Sequence, residues 1–270
     1  MKTKREHNIY ALLALKTLLA LFVLLLSQTL FFAINSLLFS PVDSNEWIGI
    51  ALGNIVFGMA TVSTFLLPYY ILMLLPLKVR WHRGYRIAAE TLYIVALLAM
   101  VIPRICNTAY YPFTLRLLSD EIFSYLGISG QMGTLLPMFL RDYWLVWLSS
   151  LLILLLFFFI NSRLHLAERN NPPKHLGNDL LGTVLGALLV WFFMRGGFGP
   201  FIQPSDAAAY ARPINSTLVN NDSYNILRTL CLPDLDEGSI NPDGGFDALH
   251  TPAAIADTTA VPDNSAPRPT

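Results

Sequence analysis

The sequence has little charge. Only 13% of its 270 residues are Asp, Glu, Lys or Arg, whereas 54% are hydrophobic and the mean hydropathy is +0.51. A soluble domain carries about 25% charged residues, so this composition excludes a soluble globular enzyme as the first interpretation. It also excludes an intrinsically disordered chain, which needs high charge and low hydrophobicity. The formal net charge is +0, and without a basic excess we expect no nucleic-acid partner.

Residues that bind metals or form disulfides are also scarce. Two cysteines, Cys106 and Cys231, cannot build a disulfide framework, and in an oxidising compartment they are either paired or free thiols. The five histidines show neither HxxxH nor HExxH spacing. We therefore expect no metal site, no cofactor and no catalytic residue in this chain.

Five apolar runs fill most of the first 200 residues. A helix that crosses about 30 Å of hydrocarbon needs about 20 apolar residues. The predicted spans are 11–39, 48–75 with a kink near Pro68, 87–105, 143–160 and the shorter 180–194. The expected fold class is an all-α membrane protein with five transmembrane helices.

Basic residues predict how these spans are oriented. Cytoplasmic loops are enriched in Lys and Arg. Ten basic residues would share one side of the membrane: Lys2, Lys4, Arg5, Lys78, Arg80, Arg83, Arg86, Arg163, Arg169 and Lys174. The opposite side has no basic residue in 40–47 and three in the long loop 106–142 and its approaches: Arg104, Arg116 and Arg141. We expect a cytoplasmic N-terminus and, after five spans, a C-terminus outside.

Two further segments differ from the spans. In 114–126 the apolar residues Leu115, Leu118, Ile122 and Tyr125 share one helical face, which predicts an amphipathic helix in the outer interface. Residues 231–270 contain seven acidic residues, one basic residue and six prolines at and after Pro233, which predicts a disordered tail. The predicted division is a membrane domain with juxtamembrane helices at 1–230 and this tail at 231–270.

Small and polar residues inside the spans suggest packing contacts. Gly182 and Gly186 form a GxxxG motif, which is typical either of a dimer face or of packing within the chain. We expect Lys16 to extend toward the N-terminal side of the membrane. Glu90 lies four residues after Arg86, so we expect these two to pair.

The segment after the fifth span carries a resemblance to a known family. It reads RGGFGPFIQPSDAAAYARPINSTLVNNDSYNILRTL, and the long outer loop contains AYYPFT at 109–114 and DEIF at 120–123. In this order and spacing, and after five spans, these motifs resemble the membrane domain of lipoteichoic acid synthase-like proteins of the alkaline phosphatase/sulfatase superfamily, in a Bacteroidetes-type variant. The resemblance covers about residues 1–230.

The resemblance implies a function in the bacterial inner (cytoplasmic) membrane. Members of the family carry an extracytoplasmic domain with a Thr or Ser nucleophile and a divalent metal. They transfer phosphoglycerol or phosphoethanolamine from a lipid, or hydrolyse phosphate or sulfate esters. No apolar strand pattern follows Leu230, so we expect a truncated chain that is not catalytic alone. The alternative is a polytopic scaffold or a small transporter without this ancestry.

The resemblance also implies partners and contact residues. The expected partners are membrane lipids, a separately encoded sulfatase-like domain or a second copy of the chain. The candidate lipid-contact residues are Arg195, Arg116, Tyr110, Tyr111 and Asp120. From the physics alone, Arg195 either contacts a lipid phosphate or extends from a helix end to the interface.

Overall fold

The computed structural model describes residues 6–7, 9–75, 82–118, 141–166 and 176–231. Their helices are α1 (Ile9–Asn35), α2 (Ser44–Phe65), α3 (Leu67–Leu74), α4 (Arg83–Thr114), α5 (Trp144–Asn161), α6 (Leu176–Arg195) and α7 (Asp222–Cys231). Short 3₁₀ helices occupy Ser36–Leu38, Pro204–Ala209 and Pro213–Leu218. A two-residue parallel pairing joins β1 (Glu6–His7) to β2 (His165–Leu166). The described fold is thus almost entirely helical.

Four of the described helices are long and apolar enough to cross a membrane. They are α1 with its following 3₁₀ turn, α2, α4 and α5. The apolar part of α6, Leu180–Arg195, is shorter. These helices indicate a membrane-embedded protein, because apolar helices of this length are stable when hydrocarbon surrounds them.

The second predicted span is two helices. α2 ends at Phe65 and α3 begins at Leu67, with Pro68 in its first turn. Proline has no amide hydrogen and fits the first turn of a helix, where that hydrogen would lack an intrahelical partner. The expected kink near Pro68 is therefore a helix break.

The third predicted span continues beyond its expected end. α4 passes Ile105 and reaches Thr114, with Pro103 and Pro112 inside it, and Leu115 ends it at a positive φ of 53°. Polarity suggested a loop here, but Asn107, Thr108 and Tyr111 are buried against other elements. Residues 109–114 therefore belong to α4. The predicted amphipathic helix in 114–126 is wrong at its start, because Leu115 ends α4 and 115–118 are not helical; its remainder and, apart from Cys231, the predicted tail lie outside the described residues.

The core has two hydrophobic clusters, one toward each end of the bundle. At the end where α1 begins, α1, α3, α4 and α5 pack around Tyr69, Tyr93 and Phe157. At the end where α1 finishes, the rings of Phe31 and Phe39 meet Tyr111, with ring centroids 5.1 Å and 5.6 Å from the tyrosine ring. The second cluster also contains residues of the chain after α6: Ile202, Ala207, Ala211, Leu218, Val219 and Tyr224. This juxtamembrane segment, 202–229, thus covers one end of the bundle.

Glycines allow the close approaches on which this arrangement depends. A Cβ on Gly49 of α2 would lie 2.2 Å from the carbonyl oxygen of Tyr210 in the juxtamembrane segment. On α6, a Cβ on Gly182 would meet the Tyr10 ring at 2.4 Å, and one on Gly186 would meet Leu74 at 2.7 Å. The GxxxG motif of α6 therefore packs against α1 and α3 of the same chain.

We predict that Gly49→Ala destabilises the protein by about 1–3 kcal/mol, the usual cost of overpacking a tight contact. The new methyl group would overlap backbone, which cannot rotate away as a side chain can. The measurement is the thermal unfolding of the purified protein in detergent. Gly199→Ala is the control, since a Cβ there meets nothing within 4 Å. Equal melting temperatures for the two variants would contradict the close packing of α2 on the juxtamembrane segment.

Candidate functional site

A buried ion pair ties the juxtamembrane segment to the bundle. The side chain of Arg104, from α4, is fully buried, and its Nε lies 3.1 Å from Oδ2 of Asp222, which is equally buried. One terminal nitrogen of Arg104 donates to the carbonyl oxygen of Asn220. The guanidinium carbon lies 4.8 Å from the centre of the Phe31 ring. Arg104 thus connects α4, α1 and the start of α7.

Neighbouring polar groups complete what we call the Arg104 cluster: Arg104, Asp222, Asn107, Asn220 and Ser223. Asn107 Nδ2 donates to Asp222 Oδ1 at 3.0 Å, and the Ser223 hydroxyl donates to the Met100 carbonyl at 2.5 Å. Burial raises the pKa of the Asp222 carboxyl to about 6, and the Arg104 charge opposes this rise. The cluster is closed off from solvent, so its role is to hold elements together.

The N-terminus of α7 is fixed by the same stretch of sequence. The side chain of Asn221 accepts a hydrogen bond from the Ser223 amide at 3.1 Å, as an N-cap residue does. Asn220 Nδ2 donates to the Pro204 carbonyl at 3.0 Å, and the Tyr224 hydroxyl donates to the Ile202 carbonyl at 2.9 Å. The juxtamembrane segment is therefore also bonded to itself.

A second ion pair, between Arg212 and Glu46, joins the juxtamembrane segment to the start of α2. Arg212 Nε donates to Glu46 Oε2 at 2.8 Å, and Asn215 Nδ2 donates to Glu46 Oε1 at 3.0 Å. The Asn215 oxygen in turn accepts from the Ser40 amide at 3.2 Å. The loop before α2, the start of α2 and the juxtamembrane segment thus share one hydrogen-bond network.

The other end of the bundle has its own ion pair, between the buried Lys16 and the partly exposed Glu90, within what we call the Lys16 cluster: Lys16, Glu90, Asn161, Tyr69 and Tyr93. Lys16 forms an ion pair with Glu90, and Asn161 Nδ2 donates to the same carboxylate at 2.6 Å. The Lys16 ammonium lies 4.5 Å from the centre of the Tyr93 ring, whose hydroxyl donates to the Lys16 carbonyl at 2.9 Å. The cluster joins α1, α3, α4 and α5.

The Lys16 cluster corrects the expectation for Lys16. Its side chain is buried and points to α4, so it does not extend to the membrane surface. Glu90, expected to pair with Arg86, accepts a hydrogen bond from Lys16, which lies 74 positions earlier in the chain. The charge of Lys16 is balanced within the bundle, which costs less than an unpaired charge in a low-dielectric interior.

The predicted lipid-contact residues lie in different environments. Tyr111 is buried, and its hydroxyl lies 3.2 Å from Thr217 Oγ1. Tyr110 is half-buried and Arg116 is exposed, just beyond the end of α4. Asp120 lies outside the described residues. Of the candidates that the structure describes, only Tyr111 lies in the second hydrophobic cluster, which we call the aromatic cluster because Tyr111 meets the rings of Phe31 and Phe39 there.

Arg195 ends α6 beside two aromatic rings. Its guanidinium carbon lies 4.7 Å from the Trp191 ring and 5.7 Å from the Phe201 ring. Gly196 and Gly197 follow with positive φ angles, and their amides bond back to carbonyls in the last turn of α6. This is the usual glycine termination of a helix. The chain turns there and returns to the bundle.

Sequence reasoning missed the partners in the two ion-pair clusters. The charge pattern assigns Arg104 to the basic residues of the long loop and its approaches, and it gives no partner for Asp222. Asn54, a polar residue at membrane depth, donates to the Leu218 carbonyl at 2.9 Å. The available signal was the presence of charged and amide residues within or beside apolar helices, where they need partners.

Comparisons with known proteins found no relative. No protein-family model, no curated protein and no solved structure matches this chain. Among the described residues, no three His, Cys, Asp or Glu side chains are grouped so that they could hold a metal ion. The two ion-pair clusters and the docked juxtamembrane segment are therefore the observations that bear on function.

We predict that Asp222→Leu destabilises the protein by about 3–5 kcal/mol, because it leaves the Arg104 charge buried without its partner. The double variant Arg104→Met with Asp222→Leu should recover much of this loss, since no charge is then buried. Thermal unfolding in detergent measures both. The control is Arg163→Met, an exposed residue at the far end of α5, which should leave the melting temperature unchanged. A double variant no more stable than Asp222→Leu would contradict the coupling.

Proposed function

We propose that this chain is the membrane domain of a lipoteichoic acid synthase/sulfatase-like protein that acts on cell-envelope lipids. In this proposal, five helices cross the bacterial cytoplasmic membrane, with the N-terminus in the cytoplasm and the C-terminus outside. The observation that supports it is the docking of the juxtamembrane segment. The stretch that carries the resemblance, NSTLVNNDSY at 215–224, supplies most of the side chains that hold the segment to the bundle.

The buried residues of this stretch explain its composition. Asn215 and Asp222 are fully buried, and both bond to membrane-spanning helices, at Glu46 and Asn107 respectively. Leu218 and Val219 pack into the aromatic cluster. A segment held this firmly emerges at a defined place beside the bundle. That is what an anchor needs if it is to keep a lipid-acting domain, on the same or a separate chain, at a fixed distance from its substrate.

The length of α6 supports its assignment as a fifth span. Its 20 residues extend about 30 Å, the thickness of the hydrocarbon core. It packs against α2 and α3, and the Thr183 hydroxyl donates to the Leu74 carbonyl at 2.8 Å. The apolar part, Leu180–Arg195, extends only about 24 Å, so this proposal requires flanking residues or local thinning of the bilayer to complete the fifth span.

Arg195 is the residue that we propose for lipid contact at the outer end of α6. It is half-buried, and its Nε is enclosed in the protein without a hydrogen-bond partner among the described residues, so the two terminal nitrogens are the ones that we propose for the contact. Arg is well suited to phosphate because its guanidinium can donate two parallel hydrogen bonds. The rings of Trp191 and Phe201 hold the group at the depth where aromatic residues collect in membrane proteins.

We predict from this topology that single cysteines at Ser40 and Gln203 react with a membrane-impermeant maleimide added to intact cells. Single cysteines at Arg83 and Ser162 should react only after the membrane is opened. The parent for these variants carries serine at Cys106 and Cys231. Labelling of Gln203→Cys only after lysis would contradict the fifth span, while the opposite pattern at all four sites would reverse the orientation.

We predict that Arg195→Ala weakens binding of anionic lipid in a salt-sensitive way. A single exposed cation near an anionic surface contributes about 1 kcal/mol, and screening acts beyond about 10 Å at 0.1 M salt. Native mass spectrometry with titrated phosphatidylglycerol measures the loss. The control is Arg163→Ala, at the opposite end of the bundle. Equal losses would indicate general surface charge, and an unchanged affinity for Arg195→Ala would remove Arg195 from the proposal.

A further inference from the structure

A groove lies between α1 and α2 toward the end of the bundle that holds the Arg104 cluster. Its volume is about 310 Å³, at the lower end of the range of about 300–1,000 Å³ that is usual for ligand pockets. Four residues of α1, five of α2 and one of the juxtamembrane segment line it, among them Gln28, Trp47, Ala51, Asn54, Ile55 and Leu218. Ten residues from three elements thus form one continuous concave surface.

The groove opens on the apolar outside of the bundle. Ala51 and Ile55 on its wall are exposed, as are the neighbouring Ile48 and Leu52. A membrane surrounds helices of this composition, so the molecules that meet the mouth of the groove are lipid chains. Trp47, which is exposed at the first turn of α2, lies where tryptophan marks the boundary between hydrocarbon and headgroups.

The unpaired amide atoms of Gln28 and Asn54 in the groove are hydrogen-bond acceptors, whereas the Thr29 hydroxyl already donates to the Leu25 carbonyl at 2.9 Å. Gln28 Nε2 and Asn54 Nδ2 both donate to the Leu218 carbonyl, at 2.5 Å and 2.9 Å. Within the described part of the chain, neither amide oxygen accepts a hydrogen bond in return. Gln28 is more than nine-tenths buried, and an amide oxygen without a donor at this depth costs free energy.

The absence of charge in the groove restricts which ligand can donate a hydrogen bond to these oxygens. None of the lining residues is charged, so the groove offers no cation to a phosphate. Two acceptors in an apolar wall are complementary to a hydroxyl or an amide N–H that is attached to an acyl chain. An anionic headgroup, by contrast, would bring a further acceptor to groups that need a donor.

We propose that this groove binds the acyl chain of a membrane lipid and that the Gln28 and Asn54 oxygens accept a hydrogen bond from a hydroxyl at the head of that lipid. A diacylglycerol is the simplest lipid of this chemistry. The inference rests on the proposed function in that it names a lipid site for a lipid-acting membrane domain. It differs from the Arg195 contact, which selects phosphate.

The experiment uses the whole chain in nanodiscs and reads the fluorescence of Trp47. Brominated acyl chains quench tryptophan on contact, so a diacylglycerol brominated in its chains reports occupancy of the groove. Trp47→Phe identifies the part of the signal that Trp47 contributes. The same lipid with its hydroxyl acetylated has the same chains and no donor, and it serves as the matched ligand.

The proposal predicts saturable quenching of Trp47 by the free-hydroxyl lipid. The acetylated lipid should bind about fivefold more weakly, the loss expected for one neutral hydrogen bond. Ala51→Phe should abolish saturable quenching because the ring fills the groove. Ala99→Phe, an equally enlarged exposed alanine on α4, should quench as the unaltered protein does.

Three results would overturn the proposal. Quenching that rises linearly with lipid, in both Ala51→Phe and Ala99→Phe, would mean contact with bulk lipid only. Equal affinity for the free and acetylated lipids would remove the role of the two amide oxygens. Absence of Trp47 quenching would mean that the groove is closed to lipid. None of these results affects the anionic-lipid test at Arg195, so failure here is distinguishable from failure of the proposed function.

Discussion

The arrangement of one end of the helical bundle depends on one buried ion pair. Arg104 and Asp222 lie in an interior that water does not reach, and each charge would be very costly there without the other. Burial of Arg104 on α4 is therefore stable only when the juxtamembrane segment is folded against the bundle and brings Asp222 beside it. When Asp222 lies beside Arg104, three further contacts can form. They are the Asn221 cap of α7, the hydrogen bond from Ser223 to Met100 and the packing of Leu218. Hydrophobic burial contributes more contact area, but it does not select a single register as a charge pair does.

The Lys16 cluster applies the same principle at the opposite end. It joins α1 to α4 and α5 through one carboxylate that accepts from both Lys16 and Asn161. Helices surrounded by lipid gain little from the hydrophobic effect when they associate, so close packing and interhelical hydrogen bonds determine their partners. Rotation or sliding of α1 against α4 would break the Lys16–Glu90 pair. The glycines of α6 and α2 then allow the remaining elements to approach closely.

These structural constraints separate the residues that hold the fold from those that are available to a ligand. Tyr111 and Asn215 belong to the first group because their polar atoms are used inside the bundle. Arg195 and the groove between α1 and α2 belong to the second, since Arg195 is partly exposed at the end of α6 and the Gln28 and Asn54 oxygens accept no hydrogen bond from the described residues. The two are chemically different, as one presents a cation and the other presents amide oxygens. A membrane domain that acts on lipids would use such a difference to distinguish a charged headgroup from a neutral one.

The sequence by itself determined that this is a helical membrane protein and where the apolar segments lie. These properties depend on composition and local periodicity, which any window of about 20 residues contains. Only the tertiary structure decided that the second apolar run is two helices, that α4 extends through polar residues to Thr114, and that Lys16 and Arg104 are buried. The physical reason is that a polar residue in an apolar environment is stable only beside its partner. Those partners, Glu90 for Lys16 and Asp222 for Arg104, are far away in the chain, and no local pattern brings them together.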